Sequence, residues 1–517
     1  MNDASAAPSR RRASIIGVLN QYGAIGVMVL QGFALVPLYL RHIDPRAYGA
    51  WLATGNVIGW LAFIDPGLSA VVQQRISHAY GDGDRARMEG AIGTGLVLNL
   101  GVAAALGGAG VALSPFIPGL VRVEGPLAAQ IASACALAAA GEGVLLSALA
   151  LASVLMALMA FPLTTGVLYV VGSLAGIAAT VVFLSLGFGI RAIALGLIVR
   201  ASLLLVANVV LLTYVLTRRV RLRPRFSRDD LRAIAGLSAY TWLARVGGAL
   251  ISNLDAFLIA RLMGTGHVPV FVLTRRAVDL IGQVTSRVGA AFGPALSHLH
   301  GEGDRAKLAR VSRRLITLVG AVSAMGLGGY VGLNRAFVRL WVGGAFYGGP
   351  TLTLLLGLAV TWQALQLNLS STLFATGHVR NTSTATIAEA LLRLLLVSAL
   401  LALGAGLHGV ALGALAAGMA ANLWLLLSLH ARLIELDRRA AGRFYGAIAL
   451  RCAGLALVGL LWDRLAPTPA SWPALALSAA ALSAVEAALL LATSPALRDE
   501  ARPLVDRVRR RLFGARA

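Results

Sequence analysis

Long apolar stretches follow one another along nearly the whole chain. About fourteen are long enough to cross a bilayer, which takes roughly 20 apolar residues each. They lie near 15–40, 48–72, 91–113, 131–160, 166–187, 191–216, 236–262, 267–293, 315–333, 350–374, 384–403, 408–430, 447–463 and 472–493. In lipid every backbone polar group must be satisfied within its own segment, so stretches of this length are expected to be helices. Charged residues make up only 13% of the 517-residue chain, about half of what a soluble domain carries. A soluble enzyme, a disordered regulator and a nucleic-acid binder are therefore excluded.

The net charge of +23 acquires meaning from where its charges fall. With the N-terminus placed inside, 30 of the 45 basic residues lie in cytoplasmic segments, 7 in outside segments and 8 within spans. That asymmetry is the positive-inside signature and predicts both termini in the cytoplasm. Arg10, Arg11 and Arg12 precede an apolar stretch too long for a signal-peptide core, so no cleavable leader is expected. The basic segment RRVRLRPRFSRDDLR has Phe226 as its one aromatic residue. Nucleic-acid grooves interleave aromatics with charge, so this segment is expected to face lipid headgroups. Cys135 and Cys452 sit in apolar stretches and predict buried thiols, with no disulfide framework and no metal site.

A self-match organises the chain. ISHAYGDGDRAR (76–87) recurs as LSHLHGEGDRAK (296–307), 220 residues later, with seven of twelve positions identical. IALG (193–196) recurs as VALG (410–413), at an offset of 217. Six spans separate the long copies, so both halves enter the membrane in the same sense, as a parallel repeat. The expectation is an all-α polytopic membrane protein: a lobe over 1–216 (spans one to six), a basic linker over 217–235, and a second lobe over 236–430 (spans seven to twelve). Two extra spans and a basic tail complete it over 431–517. Substrate is expected where the lobes meet, near the midplane. In the repeated loops the glycines suit a tight turn, and Asp84 and Asp304 suit helix caps.

Two six-span lobes plus two C-terminal spans, with VPLYLRHIDPRAYGAW (36–51), FIDPGLSAVVQQR (63–75) and FGPALSHLHGEGD (292–304), resemble the MOP flippase superfamily. Within it the chain resembles the O-antigen and polysaccharide flippases. The resemblance implies a transporter rather than an enzyme, with no cofactor, in the bacterial inner membrane. Its substrate would be an undecaprenyl-diphosphate-linked glycan, carried from cytoplasmic to periplasmic leaflet by alternating access, with glycan polymerase machinery as a partner. Span one departs from two relatives. It has no charged residue between Ile15 and Leu40, where drug exporters carry an acid and lipid II flippases an Arg-Asp pair. That leaves the coupling ion open. Asn20 and Gln21 are its polar residues in the cytoplasmic half.

Charges inside the spans are the functional candidates, because each costs at least about 2.5–3.5 kcal/mol at the bilayer centre. Arg200 and Arg245 lie about nine residues into their spans, roughly 13 Å deep at 1.5 Å per residue. Arg275, Arg276 and Arg393 are comparably deep. These five are the candidates for the diphosphate and sugar, since arginine offers a permanent charge and a fork matched to phosphate oxygens. Arg275 and Arg276 point about 100° apart on a helix, and one of them is expected to pair with Asp279. Arg393 has Glu389 at i−4, so a self-neutralised pair is an equal reading there. Asp255, Glu142 and Glu389 are candidates for ion coupling. A multidrug exporter or a lipid II flippase on the same fold is the alternative, with a polytopic glycosyltransferase or polymerase further off. The short outside loops offer no carboxylate pair for catalysis.

Overall fold

A computed structural model describes residues 26–27, 29–61, 68–158, 162–236, 239–495 and 497–499. Among these residues every regular element is helical. The charged residues that open and close the chain, with Asn20, Gln21 and Asp65, lie outside the described residues.

The chain forms two compact units, Met1–Pro269 and Val270–Ala517. After a helical stretch over 29–42, the first unit contains α1 (Pro45–Leu61), α2 (Leu68–Asp82), α3 (Arg85–Leu113), α4 (Pro126–Ala157), α5 (Pro162–Ser185), α6 (Arg191–Tyr214), α7 (Arg228–Gly236) and α8 (Ala239–Leu262). The second holds most of α9 (His267–Glu302), then α10 (Arg305–Trp341), α11 (Pro350–Ala375), α12 (Val379–Ala402), α13 (Gly406–Leu433), α14 (Arg438–Leu465) and α15 (Trp472–Thr493). Ten helices among the described residues are long and apolar enough to cross a membrane. They coincide with expected spans three to six and nine to fourteen, so the protein is a multi-pass membrane protein. The helices at spans seven and eight, α8 and α9, are 24 and 36 residues long. At 1.5 Å per residue both could span.

In the first unit, α4 is the hub, packed against α3 and α6. The Gly-Glu-Gly of its sequence explains the close approach. A Cβ on Gly143 would crowd the Cα of Gly107 on α3 (3.2 Å), and one on Gly141 would crowd Ile198 on α6 (3.0 Å). The surrounding core includes Val72, Ile76, Ile92, Leu155 and Val215, all fully buried. In the second unit α10 plays the same part for the two extra helices. Gly320 faces Ile448 of α14, and Gly332 faces Leu482 of α15 and Gly459 of α14. Small residues at four- and eight-residue spacing let membrane helices approach where no hydrophobic drive exists. Both cysteines are buried and free.

The repeated loops fold alike. Gly83 and Gly303 take φ values of +70° and +74°. Asp84 accepts from the Arg87 backbone N–H and Asp304 from that of Lys307, each at 3.0 Å. One left-handed glycine and one carboxylate cap thus turn the chain into α3 and again into α10, as the duplicated sequence predicts.

The basic linker is not a free tether. Its arginine side chains at 218, 219, 221, 223 and 225 are exposed, but its backbone is bonded to α3. The Arg225 N–H donates to the Glu89 carbonyl (3.0 Å), Arg223 N–H to the Glu89 carboxylate (2.8 Å) and Ser227 N–H to Thr94 Oγ1 (2.8 Å). Arg85 donates to the Arg221 carbonyl (2.8 Å), and Arg75 pairs with Asp230 at 2.5 Å. Gly93 makes this possible, because a Cβ there would collide with the Arg225 backbone. Gly93→Leu should therefore lift the linker and raise the rate of tryptic cleavage at its exposed arginines by about tenfold or more. An unchanged cleavage rate in membranes would show that the linker is not held at this point.

Candidate functional site

The candidates gather into one cluster in the first unit and two in the second. In the first unit α4, α5 and α6 contribute one residue each. Arg200 lies on α6 with its guanidinium carbon 4.9 Å from the centre of the Tyr169 ring of α5. Its Nε is buried with no hydrogen-bond partner. Glu142 of α4 lies within electrostatic reach of Arg200 but not at ion-pair distance. A charge stacked on an aromatic face, with a donor still unused, is poised to meet an acceptor brought by a ligand.

The second cluster uses the corresponding helices of the second unit, α11, α12 and α13. Glu389 of α12 is buried (2% exposed) and its Oε2 accepts from two amides, Gln366 of α11 and Asn422 of α13, the latter at 2.8 Å. Arg393, one turn along α12, is 4% exposed. The Trp362 indole N–H and the Gln366 Oε1 are buried there without partners. Sequence reasoning missed Gln366, Asn422, Trp362 and Tyr169, because a search for charge passes over amides and aromatics. The signal available was an amide within an apolar stretch, which is itself costly in lipid.

The third group lies on α9. Arg275 pairs with Asp279 at 2.8 Å, the i,i+4 partner expected for one of the two arginines. Arg276 points elsewhere, and its Nε is buried without a partner. Arg245 falls on α8, but its side chain lies outside the described residues. Asp255, also on α8, is 3% exposed. Three of the five candidate arginines, Arg200, Arg275 and Arg393, thus have a carboxylate nearby, and the uncompensated positive charge is smaller than a count of deep arginines suggests.

The weak sequence echo at 193–196 and 410–413 marks a shared helix contact. Gly196 of α6 packs on Thr180 of α5, and Gly413 of α13 packs on Val397 of α12. Both members of each pair are related by the same 217-residue offset. Carried along these helices, the offset relates Gly176 to Arg393 and Arg200 to Ala417. Gly176 is where the Arg200 side chain leaves α6, 2.8 Å from the position a Cβ would take. Each lobe therefore has one arginine at the same level of the same helix pair, delivered from opposite partners. In the first unit room for it comes from Gly176, which faces it.

Comparison with known proteins fits this architecture. A family model described as polysaccharide biosynthesis protein matches residues 95–343. No curated protein matches the sequence. Among solved structures, the lipid II flippase MurJ in an inward closed conformation is similar with a TM-score of 0.68 at 11% identity, covering 92% of this chain and 99% of that one. An outward-facing multidrug resistance MATE transporter gives 0.60 at 16% identity, covering 84% and 98%. A MOP-superfamily transporter from Pyrococcus furiosus, whose title speaks of a binding pocket of reverse polarity, gives 0.59 at 15% identity, covering 87% and 97%.

Proposed function

We propose that this chain, which has the MOP-superfamily fold, is a flippase for a polyprenyl-diphosphate-linked oligosaccharide or polysaccharide precursor. It would carry the glycan from the cytoplasmic to the periplasmic leaflet of the bacterial inner membrane by alternating access. The observation that carries this reading is the pair of partly buried arginines, Arg200 and Arg276, whose Nε donors are buried and unused. A diphosphate brings acceptors of the right charge and geometry for such donors. The polysaccharide family match over 95–343 supports the glycan class.

In this reading Arg200 of the first unit and Arg276 of the second are each candidates for a diphosphate contact, and Arg245 is a further one. Arg275 is held by Asp279, Arg393 lies one turn from Glu389, and both shape the surroundings. Tyr169, Trp362 and the amides of Gln366 and Asn422 suit sugar hydroxyls and rings. Glu142 is the foremost coupling acid, since an ion or proton arriving there would change the field felt by Arg200. Asp255 is a second candidate. Glu389 is tied down by two amides and is the third. The O-antigen or lipopolysaccharide pathway is the setting this substrate class implies.

The second reading is a drug exporter, favoured by the MATE likeness and by the acid Glu142 in the first lobe. Deleting the gene separates them. Accumulation of a lipid-linked glycan in the cytoplasmic leaflet, with unchanged drug susceptibility, is the expected result. Normal periplasmic delivery of glycan with heightened drug sensitivity would overturn the flippase reading in favour of export.

A further inference from the structure

A separate basic cavity lies in the first unit, away from the deep arginines. It has a volume of about 530 Å³ and is lined by Arg46, Arg122, Arg261 and His267, with parts of the 260–266 segment. Three distant pieces of chain meet there. Arg46 opens α1, Arg122 sits in the turn between α3 and α4, and Arg261 and His267 flank the turn from α8 to α9. The linker packs at the Arg85 end of α3, and the cavity lies beyond the other end, past Leu113. From Thr94, the last α3 residue that the linker touches, to Leu113 the helix runs about 28 Å.

The backbone around this cavity is fixed. Val121 and Val123 are buried, and both their N–H groups donate to the Pro118 carbonyl, at 3.2 and 3.0 Å. Arg122 between them is held at φ +53°, a left-handed conformation that costs a non-glycine residue about 1–2 kcal/mol. On the other side, Gly264 (φ +100°) turns the chain, and Gly49 of α1 leaves room for the Thr265 carbonyl. The arginines thus stand on anchored turns.

No carboxylate lines the cavity. The two nearest acids in sequence, Asp44 and Glu124, do not line it: Asp44 spends its carboxylate on the Arg46 and Ala47 backbone N–H groups, at 2.8 and 3.3 Å, and Glu124 is exposed and in no ion pair among the described residues. None of the three arginines forms an ion pair among the described residues. Three like charges in one concavity repel unless an anion joins them. Guanidinium forks suit phosphate oxygens above other anions. The volume falls within the range of small-molecule sites, about 300–1,000 Å³.

We infer that this cavity binds a phosphate or diphosphate group, independently of what the deep arginines carry. Its place at the ends of membrane helices puts it at headgroup level, so the phosphate can come from a lipid or from solution. The test uses the full chain in phosphatidylcholine nanodiscs. Pyrophosphate binding is measured by calorimetry, and retention of phosphatidylglycerol by native mass spectrometry. So that the deep arginines add nothing to the pyrophosphate signal, the variants are made in an Arg200→Ala/Arg276→Ala background: Arg122→Gln with Arg261→Gln, the single Arg46→Gln, and the exposed Arg310→Gln as a control.

Relative to that background, the double substitution should weaken at least one of the two ligands tenfold or more, Arg46→Gln severalfold, and Arg310→Gln neither. Loss of pyrophosphate binding identifies a site open to soluble phosphate. Loss of phosphatidylglycerol alone identifies a lipid headgroup site. Less than a twofold change in both ligands, with the melting temperature preserved, would overturn the inference. So would an equal loss of binding in Arg310→Gln and in the double variant.

Discussion

Arg276→Ala and Arg200→Ala should each slow translocation of a polyprenyl-diphosphate glycan by about ten- to a hundredfold, with folded protein in the membrane unchanged. The magnitude follows from losing one charge-assisted hydrogen bond, about 1.5–3 kcal/mol, at about 1.4 kcal/mol per factor of ten. Folding is spared because neither arginine is in an ion pair among the described residues. For Arg200 the stacking on Tyr169 accounts for about 0.5–2 kcal/mol. Arg200→Lys should recover only part of the rate, since an ammonium keeps the charge but loses the fork. Rates in liposomes reconstituted with each variant, normalised to protein content, check this. Wild-type rates in both alanine variants would remove the arginines from the transport path.

Glu389→Ala should be the most damaging single change to stability among the candidates. Its Oε2 receives both the Gln366 and Asn422 amides, all three residues are at least nine-tenths buried, and Arg393 sits one turn away. Truncation leaves two donors unsatisfied and strips the acid from beside a buried cation. Each orphaned buried donor costs about 1–3 kcal/mol, so the two together cost about 2–6 kcal/mol. For a unit of this size that corresponds to a drop of about 4–24 °C in the melting temperature. Glu389→Gln keeps an acceptor in place and should lose less than half as much. Melting of the purified protein in detergent gives the comparison, and equal melting temperatures for wild type and Glu389→Ala would show that the cluster is not structural.

Much of the architecture was legible in the residues, and the reasons are local. Apolar stretches of bilayer length can only be helices in lipid, so spans three to six and nine to fourteen appear where expected. The duplicated Gly-Asp loops encode a turn and a cap that need no tertiary context, and Gly83 with Asp84 folds as Gly303 with Asp304 does. The pairing of Arg275 with Asp279 was readable for the same reason, as an i,i+4 neighbour on one helix. What could not be read depends on contacts between helices. Arg393 has Glu389 at i−4, but the carboxylate's hydrogen bonds come from amides on α11 and α13, far away in sequence. The opposed placement of Arg200 and Arg393 emerges only once Gly196–Thr180 and Gly413–Val397 are seen as contacts. The linker reads as a basic run facing lipid headgroups, and its docking on α3 is hidden because it uses backbone groups that composition does not reveal.

The central claim is that the protein moves an anionic, lipid-linked glycan across a bilayer by means of the arginines within its spans. Its most direct test is a reconstituted flipping assay. Liposomes containing a polyprenyl-diphosphate oligosaccharide with a labelled sugar are prepared with wild-type protein, with Arg200→Ala/Arg276→Ala, or without protein. The fraction of label exposed to an impermeant glycan-modifying reagent is followed over time. The account predicts that wild-type protein exposes the inner-leaflet pool and that the double variant approaches the protein-free background. Equal exposure by wild type and double variant, or none above background by wild type, would contradict it.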